Sequence, residues 1–213
     1  VGFGEMTASH FSFRDGHPYL EASPDHPLFL SLADIAAKYN MPIDLHMEAI
    51  EKDMALPRGF ESPPNPKVLK ANIPAFERLL SHNRKAKIIW VHIGWDNTGQ
   101  MNLSLLRRLL GAHPNLYMSL KVLDGGLSKA ENRPTENSRL KPAWLALFKE
   151  FPDRFMLGSD QFYGIPGKTR PFPSSDHGSI AILNGLPPEL AQKIAFENAE
   201  KLYNLAILNP RSK

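Results

Sequence analysis

The connections between the predicted strands and helices alternate sharply in length along this chain. The hydrophobic pattern predicts five strands, separated by amphipathic helices. The strands are predicted at Val1–Met6, Pro42–Met47, Lys87–Ile93, Asn115–Leu120 and Arg154–Gly158. The helices are predicted at Pro27–Asn40, Lys67–Ser81, Met101–Ala112, Lys141–Phe151, Gly178–Asn184 and Pro188–Leu205. Connections from helix to strand are short, whereas four connections from strand to helix are long, namely Thr7–His26, Glu48–Pro66, Lys121–Arg139 and Gln161–His177. Strands joined by helices in this way predict right-handed crossovers and a parallel α/β fold.

The long loops all follow the carboxyl ends of strands, which is the face where parallel α/β proteins build their active sites. The chain has 19 prolines among 213 residues, and many of them crowd into three of these loops. Because proline restricts the unfolded chain, we interpret the loops as stiff walls of a pocket. The alternative is that they are surface insertions, which proteins tolerate at little cost.

Composition narrows the class of protein. A length of 213 residues, with 42% hydrophobic and 22% charged residues, predicts one globular domain over residues 1–213. The net charge of +3 is spread along the chain and does not indicate nucleic-acid binding. There is no cysteine, which excludes disulfides and thiolate metal ligands and favours a cytoplasmic location. The longest apolar stretch, Ile88 to Trp95, is too short to span a membrane.

Four predicted strands end in side chains that can bind a metal: Glu5, His46, His92 and Asp160. Such groups are costly in apolar strands unless they are paired or coordinated, and the ends of parallel strands converge in space. Nitrogen and carboxylate ligands suit zinc, manganese or iron. Each residue also has a structural alternative: a hydrogen-bonded core histidine, a helix cap or turn at Asp160, or an ion pair at Glu5.

Several segments resemble the amidohydrolase superfamily, and the closest branch is the amidohydrolase-related family that includes aminocarboxymuconate-semialdehyde decarboxylase. The resemblance covers nearly the whole chain and rests on Pro42–Ala49, Trp90–Trp95, Asp153–Asp160 and the closing Glu197–Tyr203. It implies a metal-dependent (β/α)8 TIM barrel in which the strands of this chain are about the fourth to the eighth.

The resemblance also implies roles for individual residues. His46 matches the metal ligand of the fifth strand, and Asp160 matches the aspartate that touches the metal and accepts a proton from its water. His92 matches a histidine that binds a second metal in some branches and is a catalytic acid or base in this one. Glu5 lies where a related, deoxyribonuclease-like branch has a glutamate ligand.

The chain departs from the family at one motif. The first strand of the family carries His-x-His, but no two of the eight histidines here are two residues apart. Since the sequence also opens at Val1 without an initiator methionine, we expect a piece that corresponds to the C-terminal five-eighths of an enzyme. His10, His17 and His26 lie in or at the end of the loop after the first strand, but we do not expect them to replace the missing pair. We expect the isolated chain to bind zinc poorly and to self-associate through open strand edges.

The function expected from the resemblance is hydrolysis of an amide, ester or lactone by metal-activated water. The alternatives are non-oxidative decarboxylation at the same site and a barrel fragment that is not an enzyme by itself. A flavodoxin-like phosphate-binding domain is a further alternative, although no Gly-rich turn opens a helix directly. Arg170, Lys168 and Lys121 are candidates to bind a substrate carboxylate. We expect a small-molecule substrate, no nucleic acid or membrane partner, and a possible homo-oligomer.

Overall fold

The computed structural model describes residues 1–14, 16–123, 130–160 and 176–205. Five strands form one sheet in chain order, and every neighbouring pair is parallel. They are β1 (Phe3–Thr7), β2 (Ile43–His46), β3 (Ile88–Ile93), β4 (Leu116–Leu120) and β5 (Phe155–Leu157). Parallel strands that neighbour each other in sequence order, with helices between them, form part of a (β/α)8 barrel. The predicted fold class is therefore confirmed.

The helices follow the predicted pattern, with two differences. They are α1 (Pro27–Tyr39), α2 (Ile73–His82), α3 (Leu103–Ala112), α4 (Pro142–Glu150), α5 (Asp176–Asn184), α6 (Pro188–Gln192), a π-helical turn (Lys193–Glu197) and α7 (Asn198–Leu202). The predicted start of α2 at Lys67 is wrong, because Val68–Leu69 pairs as a short antiparallel strand with Met54–Ala55. The single helix predicted over Pro188–Leu205 is interrupted by the π-helical turn.

The long loops after β1 and β2 are folded onto each other. Asn65, which is buried, accepts a hydrogen bond from the Ser12 amide and donates to the carbonyl oxygens of Ser12 and Phe60. Ser9–His10 pairs with Leu20–Glu21 in a second short antiparallel ribbon. These bonds satisfy loop backbone that would otherwise be buried without partners, so the loops form a fixed layer over this end of the sheet.

The main core lies between the sheet and the helices around it. Its largest buried side chains include Trp90 on β3, Trp144 on α4 and Phe155 on β5. The apolar run of β3 is buried along almost its whole length, as expected for a strand covered on both faces. None of the helices in the described ranges combines the length and hydropathy that a bilayer span requires.

At the amino end of the sheet, buried polar side chains bind backbone carbonyl groups. Asn115 donates to the carbonyl oxygens of Leu80 and Ala86, at 3.1 and 3.0 Å. The Arg154 guanidinium donates to those of Leu116 and His113. The side chain of Asn198 donates to the carbonyl oxygens of Pro152 and Phe155, at 2.9 and 2.8 Å. These bonds join the ends of the helices to the strands that follow them.

Candidate metal centre

Glu5 and His46 meet where β1 and β2 end. The Nδ1 atom of His46 lies 2.6 Å from Oε1 of Glu5. The pairing of the two strands shifts register between Phe3 and Met6, so Glu5 lies in the irregular part of the ladder. Irregular pairing of this kind turns side chains away from their regular direction and is common beside active sites. Local backbone irregularity therefore brings a carboxylate from an edge strand to the imidazole of the next strand.

His92 joins this pair from β3. The Nε2 atom of His92 lies 3.4 Å from Oε2 of Glu5, and its ring centroid lies 4.7 Å from that of His46. His92 has a φ angle of 65°, and the pairing of β3 with β4 shifts register between Trp90 and Ile93. A left-handed backbone is costly for a residue other than glycine and often marks a functional site. One ligand atom from each of Glu5, His46 and His92 lies within 4.8 Å of the others.

Asp160 lies next to these three residues, just beyond β5. Its Oδ2 atom is 3.6 Å from Nε2 of His92, and it also has a left-handed backbone, with a φ angle of 45°. The same carboxylate accepts a hydrogen bond from the ammonium group of Lys121. The Lys121 ammonium also lies 5.0 Å from the centre of the Trp95 ring. The structure thus brings together all four residues predicted at the strand ends.

The structure describes only one of the three residues predicted to bind a substrate carboxylate. Lys121 lies at the site, but its charge is paired with Asp160 in the structure. Its role in binding a substrate carboxylate stays a prediction. Arg170 and Lys168 lie outside the described residues.

The electrostatics of the site favour an anionic carboxylate beside neutral imidazole. Burial favours the neutral form of Glu5, but hydrogen bonds with His46 and His92 outweigh burial and hold the pKa of this carboxyl group well below its usual range. Burial is also the main reason why the pKa of His46 is lowered. A neutral imidazole keeps a lone pair for a metal, and an ionised carboxylate supplies charge.

The three histidines between β1 and α1, namely His10, His17 and His26, lie in different places. The ring of His10 is 4.7 Å from that of His46 and 5.0 Å from that of His17. Burial lowers the pKa of His10 to about 4, so this ring is neutral near pH 7. His26 instead caps α1, where its Nδ1 accepts a hydrogen bond from the Leu28 amide. His10 and His17 therefore extend the imidazole cluster, whereas His26 does not.

Glu48 is a residue of this region that sequence reasoning missed. It is only 4% exposed, and its Oε1 lies 4.0 Å from Nε2 of His46. Burial, together with the charge of Asp96, raises the pKa of Glu48 to about 8. Asn97 donates a hydrogen bond of 2.9 Å to the same oxygen. The available signal was the spacing: Glu48 follows His46 by two residues, the period at which extended backbone returns a side chain to one side.

The comparison with protein families identifies the class. The family model for amidohydrolase matches residues 11–205. The chain therefore belongs to the amidohydrolase family, in agreement with the resemblance seen in its sequence. No match was found among curated proteins.

Solved structures of similar fold support the barrel architecture. The dihydroorotase of Campylobacter jejuni aligns with a TM-score of 0.55 and 18% identity, over 95% of this chain and 58% of that one. A proposed 2-pyrone-4,6-dicarboxylic acid hydrolase of Pseudomonas putida aligns with a TM-score of 0.55 and 16% identity, over 88% of this chain and 60% of that one. At these identities the likeness shows the fold alone. The chain spans about three-fifths of the length of these relatives.

The family is metal-dependent, and the residues present fit a divalent cation. The set of donors is two imidazoles and a carboxylate, with a second carboxylate adjacent at Asp160. Zinc binds such ligands at about 2.0–2.2 Å, which places ligand atoms of one tetrahedron about 3–4 Å apart. The spread of up to 4.8 Å among the three ligand atoms is close to that requirement.

Proposed function

We propose that Glu5, His46 and Asp160 hold a divalent metal in a hydrolase that cleaves an amide, ester or lactone bond of a small molecule. The observation that supports this most strongly is the convergence of side chains at one rim: one ligand atom from each of Glu5, His46 and His92 lies within 4.8 Å of the others, and Asp160 lies 3.6 Å from His92. Zinc is the metal we put first, with manganese and iron as alternatives, because the donors are nitrogen and oxygen only.

A divalent metal would supply water of lowered pKa at this site. Asp160 would accept a proton at Oδ2, the oxygen that in the structure accepts a hydrogen bond from Lys121. His92 lies 3.6 Å from the same oxygen and is the group that donates a proton to the leaving group. His46 and Glu5 act as ligands and orient each other through their hydrogen bond.

The substrate is held by positive charge at the rim. Lys121, which lies beside Asp160, is the first candidate to bind a substrate carboxylate. Arg170, which follows Asp160 in the sequence, is the second candidate. We propose a small molecule rather than a nucleic acid or a membrane, since the net charge of +3 is small.

Turnover of a substrate panel tests this proposal. The chain is loaded with zinc or manganese and assayed on amides, esters and lactones that carry a carboxylate. We expect hydrolysis that a chelator abolishes and that Asp160→Asn lowers at least 100-fold, since the proton acceptor is lost. Release of carbon dioxide would instead assign decarboxylation. Absence of turnover with every metal would indicate a fragment that is not an enzyme by itself.

Two single substitutions distinguish the role proposed for His46 from that proposed for His92. In an active protein, His46→Ala should lose the metal, because a ligand is removed, whereas His92→Ala should keep the metal and lose turnover. Metal content by elemental analysis and the rate of hydrolysis are measured on the same samples. Equal loss of metal in both variants would contradict this division and favour a binuclear site.

A further inference from the structure

Lys121 reaches into the candidate metal centre from the end of β4. Its amide nitrogen donates to the carbonyl oxygen of Ile93 at 2.9 Å, which ties its backbone to the end of β3. Its side chain is only 12% exposed, and its ammonium group donates a hydrogen bond to the carboxylate of Asp160. Because the stem of a lysine is flexible, the ammonium group can change partner while the backbone stays in place.

The oxygen of Asp160 that binds this ammonium group also faces the other candidate ligands. It is Oδ2, which lies 3.6 Å from Nε2 of His92, and that nitrogen lies 3.4 Å from Oε2 of Glu5. A divalent cation bound by Asp160 together with Glu5 and His46 would therefore share a carboxylate with the ammonium group of Lys121.

The positive charge of Lys121 also acts on the other ligands. Burial is the main reason why the pKa of His46 is lowered, and the charge of Lys121 adds to this effect. Like charges a few ångströms apart repel each other strongly where little water screens them. Lys121 therefore cancels half of the negative charge that the carboxylates of Glu5 and Asp160 offer to a divalent cation.

Trp95 gives the ammonium group of Lys121 a second partner. The centre of its ring lies 5.0 Å from Nζ of Lys121, which is within the range of cation–π attraction. Trp95 lies two residues beyond the end of β3, so it contacts Lys121 from a different strand than Asp160 does. An ammonium group that leaves Asp160 keeps this favourable contact, which makes its displacement less costly.

We propose that Lys121 is a built-in competitor at the metal centre, whose ammonium group must leave Asp160 before a divalent cation binds there. This inference rests on the proposed function, since it concerns the same site. A displaced ammonium group is available to the substrate carboxylate. Binding of the metal and binding of that carboxylate therefore favour each other.

Three substitutions of Lys121 separate its charge from its size. Lys121→Met and Lys121→Gln remove the charge and keep an unbranched side chain, whereas Lys121→Arg keeps the charge. Lys193→Met is the matched control, because Lys193 is ion-paired at 2.7 Å with Asp153, which precedes β5 at the opposite end of the sheet. Thermal unfolding establishes that each variant is folded.

Zinc affinity is measured by competition with a fluorescent zinc indicator at one fixed pH and salt concentration. We expect the two neutral variants, Lys121→Met and Lys121→Gln, to bind zinc at least about 10-fold more tightly than the unchanged chain, because a repelling charge is removed. Lys121→Arg and Lys193→Met should match the unchanged chain. Equal or weaker binding by the neutral variants overturns the inference, since Lys121 would then support the site. Tight binding by Lys121→Arg overturns it too, because charge would not be the cause.

A double-mutant cycle tests the ion pair without a metal. The free energy of unfolding is measured in the presence of a chelator for Lys121→Met, for Asp160→Asn and for the double variant. We expect the effects of the two single substitutions not to add, because either one already breaks the pair. Additive effects would show that Lys121 and Asp160 do not interact, and would overturn the inference.

Failure of the proposed function gives a different result from failure of this inference alone. If neither the unchanged chain nor the neutral variants bind zinc, the candidate ligands do not form a metal centre, and both fail. If the unchanged chain binds zinc and the neutral variants bind it no more tightly, only the inference about Lys121 fails.

Discussion

The polar side chains at the two ends of the sheet have different kinds of hydrogen-bond partner. At the amino end, Asn115, Arg154 and Asn198 donate to backbone carbonyl groups that cannot change their charge or move away. At the carboxyl end, Glu5 and His46 face one another, and both can gain or lose a proton. Backbone partners satisfy polar groups permanently, whereas ionisable partners leave them free to accept a cation.

This difference separates residues that stabilise the fold from residues available for chemistry. Two residues at the carboxyl end, His92 and Asp160, have left-handed backbone, and the amino-end residues discussed above do not. Strain and concentrated charge lower stability and are retained where a site requires them. We therefore expect substitutions at the amino end to change mainly the free energy of unfolding, and those at the carboxyl end to change mainly metal binding.

The largest effect on stability is expected for Asn198→Ala. This change leaves the carbonyl groups of Pro152 and Phe155 without their side-chain donor, in a buried part of the molecule. Each unsatisfied group costs about 1–3 kcal/mol, so the loss of donors to two groups should lower the free energy of unfolding by about 2–6 kcal/mol. Denaturant unfolding measures the fall. Zinc affinity of the folded variant should be unchanged, and a selective loss of zinc binding would break the comparison.

A smaller effect of about 1 kcal/mol is expected from the backbone of His92. His92→Gly and His92→Ala both remove the imidazole, but only glycine adopts a φ of 65° without strain. The glycine variant should therefore be more stable than the alanine variant by about 1 kcal/mol in denaturant unfolding. Ala37→Gly in α1 is the control, since glycine destabilises a helix interior by a similar amount. Equal stability of the two His92 variants would show that this backbone is unstrained.

The pH dependence of stability gives a smaller effect, centred on His113. Burial lowers the pKa of His113 in the folded protein below its ordinary value of 6.5. The unfolded chain therefore binds more protons, and this share of stability is lost as the pH falls from above 6.5 toward the folded pKa. One full proton corresponds to a slope of about 1.4 kcal/mol per pH unit in the free energy of unfolding. His113→Gln should reduce the measured slope by a fraction of this amount. Unfolding curves measured between pH 7.5 and pH 5 compare the slopes, and identical slopes would contradict the assignment.

The smallest effect is expected for an exposed ion pair that belongs to neither end. Arg107 donates to Glu150 at 2.7 Å, and both side chains are more than 40% exposed. Arg107→Ala should lower the free energy of unfolding by about 0.5 kcal/mol or less, because water screens the pair. Repeating the measurement in high salt should remove even this difference. If Arg107→Ala lowered the free energy of unfolding as much as Asn198→Ala does, exposed pairs could not serve as the reference for small effects.

The sequence predicts the part of this molecule that depends on pattern. The apolar run of Lys87–Ile93 and the helices between the strands follow directly from hydrophobic period, so the parallel sheet could be foreseen. The meeting of Glu5, His46, His92 and Asp160 could be foreseen as well, because carboxyl ends of parallel strands share one rim.

Other features depend on local backbone geometry and could not be predicted. No pattern in the sequence predicts the register shifts beside Glu5 and His92. The sequence predicts the start of α2 too early, because Leu69 fits the apolar stripe of that helix. Val68–Leu69 forms a short strand instead, since it pairs with Met54–Ala55, which is distant in sequence. Glu48 was missed since its burial depends on Asn97, which is far away in sequence.

X-ray absorption at the zinc edge tests the central claim most directly. Zinc is added with the chain in excess, because we expect the isolated chain to bind zinc weakly, and the ligands are counted from the fine structure of the spectrum. The account predicts nitrogen and oxygen neighbours at about 2.0–2.2 Å, with an imidazole contribution that falls when His46 is replaced by alanine. A spectrum without imidazole, or one that His46→Ala leaves unchanged, would contradict a metal centre at Glu5, His46 and Asp160.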